Sequence, residues 1–163
     1  RALALRGAEV FLHSTSEVGS PRLTPKDIAK RARAYENGAF LISANTGGLV
    51  DVDFPAGSTD GMSKIVDYRG EVMVEAGPGE SMVANGLIDI VALRRQRRTP
   101  GMSNLLSRQR LELFAATYAG SVHPPNTMLD AQGQSFVPER AQFTATQRNV
   151  IDDLTQRGVF GHE

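Results

Sequence analysis

Arg31-Ala32-Arg33-Ala34-Tyr35-Glu36-Asn37-Gly38, running directly into Ala39-Phe40-Leu41-Ile42-Ser43-Ala44-Asn45-Thr46-Gly47-Gly48, constrains this chain more than any other stretch. A charged helix end, a glycine stop, an apolar strand and a polar strand tip follow without a gap, so helix and strand are consecutive elements of one α/β unit. Thr24-Pro25-Lys26-Asp27 supplies the start of the same helix. Thr24 suits the N-cap, Pro25 the first helical position and Asp27 the third. Ile28, Ala32 and Tyr35, spaced by four and three, predict the apolar face. The expectation is a helix over 24–37, a stop at Gly38, a buried strand over 39–44 and a tight turn at Asn45 to Gly48.

The flanking blocks extend this pattern. Residues 1–6 carry Ala and Leu at helical spacing, and Gly7 occupies the left-handed position that ends a helix. Glu9-Val10-Phe11-Leu12-His13 then predicts a buried strand, with Ser14-Thr15-Ser16 as its polar tip and a loop through Gly19, Ser20 and Pro21. Residues 51–61 form a long loop. Residues 63–68 and 71–76 alternate around Arg69-Gly70 and predict a hairpin. A further strand is expected over 81–89 and a short basic helix over 90–98, broken by Thr99-Pro100-Gly101. Leu105, Leu106, Leu113 and Phe114 predict one side of a helix over 104–119. Beyond Gly120 the composition turns to Pro, Gln and Gly, predicting an extended tail that lies on another surface. Thr146 is expected to cap a last helix with Val150, Ile151 and Leu154 as its stripe, ending at Gly158. The division is therefore 1–119 and 120–163, and the class is α/β with α+β character.

Bulk properties remove several function classes. Eighteen Lys+Arg balance 18 Asp+Glu, so no net charge draws the whole molecule to nucleic acid, an anionic membrane or an acidic substrate. No apolar run approaches the roughly 20 residues of a membrane helix, which predicts a soluble chain with the cytoplasm as default location. The absence of cysteine excludes disulfides, thiolate metal sites and a cysteine nucleophile within these residues. Arg1 to Arg6 reads as the closing turns of a helix, which predicts a piece of a longer chain.

Individual constellations reduce to modest roles. Glu36 sits near a helix C-terminus, where the dipole disfavours a carboxylate, so pairing with Arg31 or Arg33 in a buried or interfacial site is expected rather than acid–base work. Arg94, Arg95, Arg97 and Arg98 lack interleaved aromatics, which favours a solvated or subunit-facing surface with acidic partners over nucleic acid. His13, His123 and His162 are too scattered for a zinc site, and His13 reads as a core histidine with a pocket role as the alternative. Residues 57–64 lack the Gly-Lys-Ser ending of a phosphate loop, and no Gly-x-Ser-x-Gly elbow occurs.

Four blocks in order carry a family resemblance: residues 2–10, Arg33-Ala34-x-Glu36-Asn37 with Ala44-Asn45-x-x-Gly48, Gly61-x-Ser63-x-Ile65-Val66-Asp67-x-x-Gly70, and Ile88-Asp89 with Arg94 and Arg98. Together they resemble the nitrilase superfamily of carbon-nitrogen hydrolases over residues 1–98. The resemblance implies an α-β-β-α sandwich, here its C-terminal part only, in which two units commonly pair as a homodimer. It also implies hydrolysis of a linear amide, N-carbamoyl compound or nitrile by a Cys-Glu-Lys triad without metal or organic cofactor. All three triad members would precede Arg1, so no catalytic residue maps here and these residues alone should be inactive. Family strand-end positions fall on Ser14, Thr15, Ser16, Asn45 and Thr46, which would face substrate; turn and strand-end chemistry is their other reading. The expected partners are the N-terminal part of the same domain, a small amide or carbamoyl substrate and a second copy, with no nucleic acid or membrane. A non-catalytic assembly module of the same fold is the rival. Cut from its neighbour, such a half-sandwich would expose strand edges and apolar helix faces and be unstable alone.

Overall fold

The computed structural model describes residues 1–18, 23–59 and 61–161. The loop through Gly19, Ser20 and Pro21, the residue Asp60 and His162 lie outside the described residues. The chain forms two compact units, Arg1–Gln109 and Arg110–Glu163.

The first unit is built on a four-stranded sheet among the described residues, in the order β1 (Val10–Thr15), β2 (Phe40–Asn45), β3 (Lys64–Val66) and β4 (Val72–Glu75). β1 and β2 run parallel, Val10 opposite Phe40 through Thr15 opposite Asn45. A parallel pair needs a crossover, and α2 (Pro25–Asn37) provides it. β2 to β3 and β3 to β4 are antiparallel, with Ser43 opposite Lys64 and Lys64 opposite Glu75. α1 (Ala2–Leu5) precedes the sheet and α3 (Ile90–Arg98) follows it.

The expected ends of α2 hold. The Asp27 amide donates to Thr24 Oγ1 at 3.2 Å while Asp27 Oδ2 accepts from the Thr24 amide at 3.4 Å, a reciprocal capping box. Gly38 closes the helix at φ 49°, a left-handed conformation that costs glycine little, and the Ala39 amide donates to the Ala34 carbonyl at 3.1 Å.

The buried face of α2 is not the expected one. Ile28 and Tyr35 are 55% and 40% exposed, whereas Asp27, Lys30, Ala34 and Asn37, also spaced by three and four, are buried. The sheet beneath explains the choice. Side chains on one face repeat every second residue, so the row Phe11, Leu41, Val66 lies beside the row His13, Ser43, Lys64, Glu75. Ala34 packs on the apolar row with Leu41, Val66 and Phe11. Asp27 and Lys30 lie over the polar row, where charge needs charge.

The opposite sheet face carries Phe40, Tyr68 and Leu93, packed with Val10, Ile88, Ile90 and Ala92. The Phe40 and Tyr68 rings meet edge-on at 5.2 Å. Within the basic run, Arg97 turns inward and donates to the carbonyls of Gly38 at 2.8 Å, Ala8 at 2.6 Å and Asn37 at 3.3 Å. It thus joins α3 to the end of α2 and the entry to β1, and burial pushes its guanidinium down from its ordinary value. Arg94 has the acidic partner expected of a surface arginine, a two-pronged contact with Glu9 at 2.7 and 2.9 Å.

Several expectations need correction. β1 is an edge strand, with Leu12 80% exposed, and it extends through Ser14 and Thr15 instead of ending before them. His13 is exposed, not a core histidine; its Nδ1 lies 3.1 Å from Ser43 Oγ. Glu36 is partly exposed and pairs with Arg33 at 3.1 Å and Arg1 at 3.8 Å, while Arg31 donates instead to the Gly70 carbonyl at 3.0 Å. Residues 81–89 form no strand. Gly86 sits against Ile65 and Met73, so this segment crosses the sheet face, where no ladder partner exists. The helix expected over 104–119 breaks into 3-10 turns at Leu106–Arg108 and Leu111–Leu113 and a short α4 (Ala115–Ala119), because the extended backbone of Gln109 interrupts it.

In the second unit, α5 (Arg140–Gln156) begins at Arg140, not at Thr146. Good helix formers over 140–148 carry the helix past the expected cap, and the left-handed Gly158, φ 72°, follows its end. Val150 and Leu154 are half-buried and Ile151 exposed. No helix among the described residues is long and apolar enough to cross a membrane.

Candidate functional site

Because β1 and β2 are parallel, their C-terminal ends arrive side by side, the place where open α/β sheets gather polar groups. Thr15 lies opposite Asn45, and the Thr46 amide donates to the Thr15 carbonyl at 3.2 Å. Thr15, Asn45 and Thr46 are thus brought together. Ser14 is exposed and alternates to the other face of the sheet, opposite Ala44, and Ser16 is exposed beyond the strand end.

Asn45 is the junction of the tips. Its Oδ1 accepts from the Glu17 amide at 2.7 Å and its Nδ2 donates to the Glu17 carbonyl at 3.5 Å. Its own amide donates to Ser63 Oγ at 2.9 Å, and that hydroxyl sits 3.3 Å from the Asn45 carbonyl. The Gly61 amide donates to the Thr46 carbonyl at 3.1 Å. Gly61 has φ 65°, and an added Cβ would lie 2.9 Å from the Gly79 nitrogen, so only glycine lets these backbones close on the tip.

Behind the tips runs a buried chain of charge. Lys30 Nζ lies 2.7 Å from Glu17 Oε2 and 3.8 Å from Asp27 Oδ1. Lys64 Nζ lies 2.7 Å from Asp27 Oδ1 and also pairs with Glu75. Glu17, Asp27, Lys30 and Lys64 are each 5% exposed or less, so water screens these contacts little. Burial pushes the Asp27 carboxyl up, but Lys64, Thr24 and the charge of Lys30 outweigh it and hold the group below its ordinary value of 3.8. For Lys64 the balance is the mirror image: burial pushes the ammonium down, and Asp27 and Glu75 raise it above 10.5.

Sequence reasoning missed this chain of charge. From the sequence Asp27 has only a capping role, and Glu17 and Lys30 have none. A signal existed in the strand: Lys64 alternates with Val66 onto a face that the helix must cover. Beside β1 lies a groove of about 630 Å³ whose lining includes Phe11 and Leu41 at its apolar part and His13, Thr15, Glu17 and Lys30 at its polar part. No group of three His, Asp or Glu able to hold a metal occurs among the described residues. The tips offer hydroxyls and amides for hydrogen bonds and, in a chain without cysteine, no thiol.

A carbon-nitrogen hydrolase from Helicobacter pylori G27 shares this fold with a TM-score of 0.56 and 22% identity, over 71% of this chain and 42% of that one. The NitN amidase from Nesterenkonia sp. AN1 matches with a TM-score of 0.51 and 28% identity, over 70% of this chain and 38% of that one. Comparison with curated proteins finds no match. The chain spans about two-fifths of the length of these two solved structures. The family model for carbon-nitrogen hydrolases matches residues 1–98, more than half of the sequence. With that match, the chain belongs to the carbon-nitrogen hydrolase family.

Proposed function

We propose that these residues form one wall of an amidohydrolase site that cleaves a non-peptide carbon–nitrogen bond in a linear amide, N-carbamoyl compound or nitrile. The family match over residues 1–98, in a chain with no cysteine, carries the reading. The chemistry belongs to a Cys-Glu-Lys triad in sequence upstream of Arg1. For an amide, the thiolate adds to the carbonyl carbon, Lys stabilises the oxyanion, and Glu passes the thiol proton to the departing amine. Water then attacks the thioester with Glu as base, releasing the acid and restoring the thiol.

In this reading Thr15 and Thr46 supply hydroxyls near the acyl group, Ser14 and Ser16 flank them from the other sheet face and from beyond the strand end, and Asn45 shapes the wall through its hold on Glu17. The outward stripe of Ile28 and Tyr35 supports pairing of two copies, and the cytoplasm is the proposed location. The test compares residues 1–163 with the product of the complete reading frame, measuring ammonia release from propionamide, N-carbamoylglycine and butyronitrile. The short chain should be inactive and the complete product active, with activity lost when its upstream cysteine becomes alanine. Turnover by residues 1–163 alone would place the nucleophile elsewhere. Inactivity of a folded complete product on all three probes would favour a non-catalytic assembly module.

A further inference from the structure

Glu17 stands two residues beyond β1, yet it touches three separate elements. Its carboxylate meets Lys30 of α2 at 2.7 Å and accepts from Thr15 Oγ1 of β1 at 3.4 Å. Its main chain holds the Asn45 side chain of β2 through the amide at 2.7 Å and the carbonyl at 3.5 Å. The residue is 3% exposed, an unusual state for a glutamate at a strand tip. Hydroxyls at such a tip would otherwise sample several orientations, and ordering them on binding weakens affinity.

We propose that Glu17 is the positioning residue of the strand-tip wall: locked by the Lys30 ammonium, it clamps the 14–16 segment of β1 to Asn45 and presents a preformed hydrogen-bonding surface to the substrate amide. The inference rests on the amidohydrolase reading above. Glu17 itself touches no reacting atom in this scheme. It acts through Thr15 and Asn45, so its loss weakens substrate binding and leaves the chemical step intact. Lys30 belongs to the same device, because an unpaired buried carboxylate would not stay in place. The electrostatic link continues through Asp27 and Lys64 to Glu75, so the clamp is braced against the opposite edge strand on the same sheet face.

The test uses the complete reading-frame product with Glu17→Gln, Lys30→Met and the double variant, which leaves no unpaired charge and guards against unfolding of either single change. On whichever of the three probes above is turned over fastest, each single variant should raise KM about tenfold, the value of one hydrogen bond to a charged group, with kcat within twofold. The double variant should be no worse than the poorer single one, since both act on one clamp. Leu93→Ala, a packing change on the opposite sheet face, should lower Tm without moving KM. Amide exchange supplies a readout independent of activity: exchange at 14–17 should speed up in Glu17→Gln while the apolar row keeps its protection. A fall in Tm with unchanged KM, or exchange that rises across the whole sheet, overturns the proposal. If the folded complete product hydrolyses none of the probes, the amidohydrolase reading fails, and the exchange result still decides whether Glu17 clamps the tip.

Discussion

Under α2, two neighbouring rows of the same sheet face are covered by the same helix and hold together by opposite physics. Phe11, Leu41 and Val66 meet Ala34 through contact alone, while in the neighbouring row Lys64 meets Asp27 and Glu75 through charge and Lys30 adds a second ammonium beside Asp27. The apolar row tolerates small shifts, because dispersion and burial are non-directional. The charged row does not, since every buried ion there needs its partner within hydrogen-bond reach. The charged row is also the one that adjoins the strand tips. Packing carries the helix; pairing sets the register of the site.

The largest effect expected from breaking that contrast follows Lys64→Met, which removes the closest cation from the buried Asp27 carboxylate and should cost about 3 kcal/mol in chemical denaturation. Adding Asp27→Asn to it should restore most of the loss, because the pair then carries no charge and the capping acceptor survives. Leu41→Ala should cost about 2–5 kcal/mol and find no polar rescue. A double variant no more stable than Lys64→Met alone would show that the charged row is not coupled.

Acidity separates the rows next. Asp27 is held below its ordinary value, so its contribution is present above pH 4 and fades as pH falls through the lowered value. Lys64 is raised, so its contribution is present below pH 10 and fades as pH rises through the elevated value. The stability difference between wild type and Asp27→Asn/Lys64→Met should therefore be flat between these limits and change at both ends. The loss in Leu41→Ala should be the same throughout. A difference that keeps one value across the acid range would remove Asp27 from the account.

The smallest expected change sharpens the local side of the comparison. Thr24→Ala deletes one capping acceptor and should cost about 1 kcal/mol, with no dependence on Lys64. A larger loss that vanishes in the Lys64→Met background would mean that the cap and the charged row act as one.

Legibility in the sequence divided along the same line. The Thr24-Pro25-Asp27 start, the Gly38 stop and the Gly7 end were all readable, because caps depend on residues within one turn of each other. The α/β order and the hairpin were readable from spacing and turn residues. The Ile28-Ala32-Tyr35 stripe misled, since apolar periodicity assigns the buried face only when the surface beneath is apolar. The strand expected at 81–89 and the helix at 104–119 failed for the same kind of reason: a segment crossing a sheet face has no ladder partner, and one extended residue at Gln109 outweighs a pattern of leucines.

What the sequence determined by itself is the succession of elements over residues 1–76 and their family, for these rest on short-range sterics, capping and ordered motif blocks. What only tertiary structure decided is which side of α2 is inside and what Glu17 does. Those outcomes depend on Lys30, Lys64 and Glu75 converging from positions distant in sequence, and charge chooses its partner only after the fold has brought it within reach.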